Sequence, residues 1–195
     1  PCVGTCNGIP SDDEVVLLQA LDSETPAKTV LTVGGLSGFQ ASRAVALSAT
    51  RAVVFTEGPD GTRGTTDDTL VILEDLGATN QQTAVTVGGL VGTPTSRPVA
   101  LSPTAVLVAT EGPDSAMGTA DDVVMLVKDI GTDNNVLPVT IGGLMSSSAS
   151  RPVVLSGNRA LVASAGPDLE TETEDDTVLL LTGLDTDTPL AVPVT

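Results

Sequence analysis

Three stretches of the chain concentrate groups that could do chemistry: EGPDGTRGTTDD at 57–68, EGPDSAMGTADD at 111–122 and AGPDLETETEDD at 165–176. Each sets three aspartates in a Gly-, Pro- or Thr-bearing loop. They are Asp60, Asp67 and Asp68, then Asp114, Asp121 and Asp122, then Asp168, Asp175 and Asp176. Carboxylates this close repel one another unless positive charge sits among them. Calcium suits such a loop: it takes six to eight oxygens at about 2.4 Å, tolerates irregular geometry and accepts carbonyl oxygens beside carboxylates. Gly61, Gly64 and Thr65 would let the backbone wrap inward and offer those oxygens. Magnesium demands octahedral order, and transition metals would lack imidazole and thiolate ligands here. The expected cofactor is therefore Ca2+, held by the nine aspartates. The spacing differs from an EF-hand, and Glu172 stands where the earlier copies have Gly64 and Gly118. An N-terminal remnant keeps only Asp12 and Asp13. The competing reading is a set of Asx-turns with solvated carboxylates.

Other chemistry is scarce. The chain has no His, Tyr or Trp, so the usual acids, bases and nucleophile partners are missing. Paired aspartates could serve glycoside hydrolysis, but the same pair recurs in every copy and no aromatic platform accompanies it. The expectation is a protein that is not an enzyme and has no small-molecule substrate. Cys2 and Cys6 are the only cysteines. They suit a bridge within or between chains in an oxidising compartment, or else two free thiols. Arg43, Arg97 and Arg151 recur in Ser-Arg pairs and are expected to pair with carboxylates of the same or the adjacent repeat. VGGL at 33–36 and 87–90, with IGGL at 141–144, reads as a strand-ending turn, since no helix or Lys follows to make a phosphate cradle.

The formal charge of −17 argues against nucleic acid or an anionic membrane as partner. Calcium-containing extracellular fluid or high salt would make that charge tolerable. No apolar run approaches membrane-spanning length, so no membrane insertion is expected. The chain opens on Pro1, as a processed, exported polypeptide or a piece of a longer one would.

The elements that must position the loops follow from a period of 54 residues. GGL, Ser-Arg, Leu-Ser and Gly-Pro-Asp all recur on it. One repeat reads as four strands: RPVALS (97–102), AVLVAT (105–110), VVMLVK (123–128) and LPVTI (137–141). The two middle runs are continuously apolar, implying cover on both faces. The outer two alternate and carry prolines, which suits edges. The fold class is thus all-β: four-stranded antiparallel units of β-propeller type, or alternatively a stacked-sheet or solenoid array. The divisions are a Cys-containing segment (1–11), a half repeat (12–36) and repeats at 37–90, 91–144 and 145–195. The acidic GPDG…GTxDD hairpin loops resemble those of secreted bacterial β-propeller-like repeat proteins, across nearly the whole chain. That resemblance implies propeller-like architecture and an extracellular or cell-surface setting. Three and a half units leave unfinished edges, the template for joining further copies. The functional expectation is a secreted, calcium-stabilised structural repeat protein forming a fibre or surface assembly with copies of itself. The alternative is an extracellular scaffold binding protein or carbohydrate.

Overall fold

The computed structural model describes residues 13–22, 24–36, 42–89, 94–145 and 148–194. Among these, fourteen strands form four antiparallel sheets, with no helix beyond short 3-10 turns such as Pro94–Ser96 and Ser148–Ser150. The first sheet has two strands, β1 (Glu14–Gln19) and β2 (Ala27–Thr32). The second is a meander of β3 (Val45–Ser48), β4 (Arg51–Thr56), β5 (Thr69–Glu74) and β6 (Gln81–Thr86). The third runs β7 (Val99–Ser102), β8 (Ala105–Thr110), β9 (Val123–Lys128) and β10 (Asn135–Thr140). The fourth holds β11 (Val153–Ser156), β12 (Arg159–Ser164), β13 (Thr177–Thr182) and β14 (Leu190–Pro193).

Within each complete sheet sequence neighbours pair in order, so the strands need only hairpins. Matching residues face one another in all three: Val53 opposite Ile72, Leu107 opposite Leu126, Leu161 opposite Leu180. The register also slips at the same place in the first hairpin of each, between Ala46 and Ser48, Ala100 and Ser102, and Val154 and Ser156. Pro138 and Pro193 lie in edge strands, where a missing N–H costs no ladder bond. The first strand of the third sheet starts at Val99 rather than at Arg97, as β3 starts at the matching Val45.

The core is a series of apolar layers between successive sheets, and the alternation of side chains explains it. Ala52 and Val54 of β4 point into the layer shared with the first sheet, beside Leu31 and Val15. Val53 and Phe55 point the other way, into the layer shared with Val106 and Val108 of β8. Leu107 and Ala109 then meet Ala160, Val162, Leu179 and Leu181 of the fourth sheet. A strand sandwiched on both faces needs apolar residues at every position, which is why β4, β5 and β8 read as unbroken runs. The first strands of successive complete sheets, β3, β7 and β11, also lie against one another.

This layering ranks substitutions. Phe55 is fully buried between the second and third sheets. Phe55→Ala is expected to destabilise by about 3–5 kcal/mol in urea titration, and Leu126→Ala by about 2–5 kcal/mol. Leu18→Ala, on an exposed face, is expected within about 0.5 kcal/mol of the parent in dilute monomer.

Candidate functional site

The acidic loops join β4 to β5, β8 to β9 and β12 to β13, and all three fold alike. Gly58, Gly112 and Gly166 take φ of 67°, 70° and 73°. A Cβ at Gly58 would lie 2.1 Å from the carbonyl oxygen of Asp67, so the turn that returns the chain admits only glycine. The outer aspartate of each pair clamps the loop. Asp67 Oδ2 accepts from the Asp60 N–H at 3.1 Å, and its Oδ1 accepts from the Thr65 hydroxyl at 2.5 Å. Asp121 does the same with the Asp114 N–H and Thr119, and Asp175 with the Asp168 N–H and Thr173. Those threonine hydroxyls, with the backbone donors, hold Asp67, Asp121 and Asp175 below the ordinary carboxylate range. Asp60, Asp114 and Asp168 each close an Asx-turn on the N–H two residues on.

The inner aspartate does a different job. Asp122 is fully buried, and its Oδ2 accepts from three backbone N–H groups: Gly118 at 2.9 Å, Thr119 at 3.0 Å and Leu144 at 2.6 Å. It thereby ties its own loop to the turn that ends β10. Asp68 is equally buried and accepts from Gly64 and Thr65, while Asp176 accepts from Glu172. Asp13 plays this part for the first sheet, taking the Leu36 N–H at 2.8 Å. The structure therefore separates the expected ligands into clamps, Asx-turns and buried ties. Among the described residues no three Asp, Glu, His or Cys side chains are placed to hold one metal ion. Asp122 does keep one buried oxygen, Oδ1, that accepts nothing, and Asp176 matches it.

Successive loops meet at a seam. The VGGL turns make it: Gly88 donates to the Asp68 carbonyl, Gly89 donates to Thr65, and the Gly89 carbonyl takes the Glu111 N–H of the next unit at 2.9 Å. The Gly35–Glu57 and Gly143–Ala165 bonds repeat that link. Glu57 and Glu111 consequently sit among the carboxylates of two loops. Burial first, then Asp122 and Asp68, push Glu111 up to about 6 despite the charge of Arg63. Burial likewise raises Asp122 to about 6 against its three backbone donors. Glu57 is raised by burial, with Asp68, Asp13 and Asp60 adding to it against Arg63.

Sequence reasoning missed Glu57 and Glu111, although their place before each Gly-Pro-Asp was a signal. It also missed the serines of the Ser-Arg pairs. Ser96 and Ser150 are buried and donate to the carbonyls of Ala109 and Ala163 at 2.5 and 2.7 Å. The arginines do not pair as expected. Arg97 and Arg151 make no ion pair among the described residues, and each buries an Nε without a partner. Burial, and then the charge of Arg97, push the Arg151 guanidinium down. Sheet-to-sheet locking falls instead to Arg51, which holds Glu74 at 2.7 Å and the Pro103 carbonyl at 3.2 Å, and to Lys128 with Asp187 at 2.5 Å. Cys2, Cys6 and Asp12 lie outside the described residues. No protein-family model matches the chain, and no curated protein matches its sequence.

The seam sets a pH dependence. Glu111 and Asp122 titrate near 6 in the fold, above their unfolded values, so the native state holds more protons between about 4.5 and 6. Stability is then expected to rise as pH falls from 7.5 to 5.5, by on the order of 1–2 kcal/mol or a few degrees of Tm. At lower pH it falls again as the clamps with lowered values take up protons. Differential scanning calorimetry across that range checks this, and Glu111→Gln is expected to flatten the upper slope. An unchanged slope in the variant would assign the effect to overall charge.

Proposed function

We propose that this chain is an exported, non-catalytic structural repeat protein that self-associates into a fibre or surface assembly, its sheets arranged as propeller-like blades on the 54-residue sequence period. One observation carries the reading: both outermost sheets expose apolar residues of the kind that the inner sheets bury. Val16, Leu18 and Leu21 lie open at one end, and Val153, Val178, Leu190 and Val192 at the other. Exposed β-sheet faces and edges of this kind favour association. The adjacent first strands β3, β7 and β11 support a fan of blades. The polar groups of the loops are spent on backbone ties, which suits a scaffold and assigns none of them to a reaction. The acidic composition and the Cys2–Cys6 spacing support an extracellular setting.

Calcium is a second reading of the loops, favoured by the buried Asp122 Oδ1 that accepts no hydrogen bond. If the loops hold themselves, chelator leaves Tm unchanged within about 1 °C at low salt, whereas loss of an ion bound at many times its Kd lowers it by several degrees, restored by added calcium. The assembly itself is tested by electron microscopy and sedimentation of the purified chain. Filaments or sheets, and a sedimentation coefficient rising with concentration, are expected. Discrete monomers at every concentration would instead favour the binding-scaffold alternative.

A further inference from the structure

The first and the fourth sheets each expose apolar residues on one face. Positions in the four units can be matched by counting from the tying aspartate: Asp13, Asp68, Asp122 and Asp176. Three residues on stand Val16, Val71, Met125 and Leu179; five on, Leu18, Leu73, Val127 and Leu181. In the second, third and fourth sheets these side chains pack toward the preceding sheet. In the first sheet Val16 is 45% and Leu18 54% exposed.

The hairpin after these strands gives an independent check. Leu76, Ile130 and Leu184 all donate their backbone N–H across the first hairpin of their own unit, to Thr50, Thr104 and Asn158. Their side chains all plug into the layer shared with the preceding sheet. Leu21 holds the corresponding place, following Ala20 at φ 53° as Leu76 follows Asp75 at 49°. Yet Leu21 is 69% exposed.

The opposite faces behave in the complementary way. Two and four residues after the tie, Leu70 and Ile72, then Val124 and Leu126, are fully buried against the following sheet. Val178 and Leu180 hold those places in the fourth sheet, and there Val178 is 42% exposed. Around them Val192, opposite Leu180, and Val153, opposite Leu161, extend the apolar face.

We infer that the outer face of the fourth sheet receives the outer face of the first sheet of a second copy, head to tail, in the packing that the chain already uses between its own sheets. Resting on the assembly reading, this names its contact. The occupant follows from continuity: three times within the chain a face of one kind is covered by a face of the other, and each end presents one of the two. The contact is heterologous, so the assembly is polar. It runs on as a filament, with one free face of each kind at its two ends, where the rotation between copies does not close, and forms a ring where it does. Leu21 of the incoming copy takes the role of Leu184.

Blocking one face at a time tests this on the full chain, by sedimentation velocity under reducing conditions so that cysteine links do not contribute. Leu18→Glu closes the leading face, its carboxylate lying opposite Lys28. Val178→Glu closes the trailing face. Each variant alone is expected to lose assembly beyond monomer, with at least a tenfold higher concentration needed for any dimer. Mixed in equal amounts, the two are expected to form a dimer that stops there, through the open trailing face of one and the open leading face of the other. Circular dichroism and Tm close to the parent confirm that both fold, and Leu21→Ser provides a milder block of the leading face. Dimers of either variant alone would overturn the head-to-tail pairing in favour of like-with-like contact. Wild-type-like polymers from both variants would overturn these faces as the contact while leaving self-assembly standing. A parent chain that stays monomeric would overturn assembly itself.

Discussion

Apolar packing between one sheet and the next is the interaction on which everything else in this molecule rests. A single four-stranded meander of this size cannot hide either of its faces, and each one here is hidden only by its neighbours. The middle strands are therefore apolar on both sides, and Val, Leu and Ala suffice because the sheets lie face to face with no wide interior to fill. Phe55 is a lone aromatic in that series, at a position where the third sheet carries Ala109. The same logic makes the ends of the series different from its middle. Positions that face the preceding sheet are core in the second, third and fourth units and surface in the first. Positions that face the following sheet are core in the second and third units, while Val178 of the fourth is exposed.

The acidic loops solve a problem that this packing creates. Crossing from one middle strand to the next at the edge of a layered stack leaves backbone N–H groups pointing inward, away from water. Carboxylates meet that demand better than neutral acceptors do, since each oxygen can take several N–H groups and the bond to an ion is the stronger kind. Asp122 does this for its own loop and for the turn after β10 at once. The consequence is a crowd of like charges where loops of adjacent units meet, with Glu57 and Glu111 inside it. Burial first, and then that crowding, raise Glu111 and Asp122 to about 6, while the clamping aspartates, fed by threonine hydroxyls, are held below the ordinary carboxylate range.

Much of this was legible beforehand, and the division follows from range. The runs AVLVAT and VVMLVK are strands because their own composition says so, and they pair in the order that short hairpins allow. The aspartates stood out because their spacing recurs. Their separate roles did not, because what distinguishes Asp121 from Asp122 is which backbone groups lie beside each once the loop has closed. The arginine expectation failed for the same reason. Charge balance suggests a carboxylate for Arg97 and Arg151, but the units stack so that their like neighbours face each other, and the pairing passes to Arg51 and Lys128.

By itself, then, the amino-acid order determined strand identity, hairpin connectivity and the recurrence of the loops, since each depends on residues close along the chain. Tertiary structure alone decided which face of a strand meets which neighbour, which carboxylate is buried, and which leucines remain in water. Those outcomes depend on a contact between units, and matching residues such as Leu21 and Leu184 differ only in having a sheet in front of them.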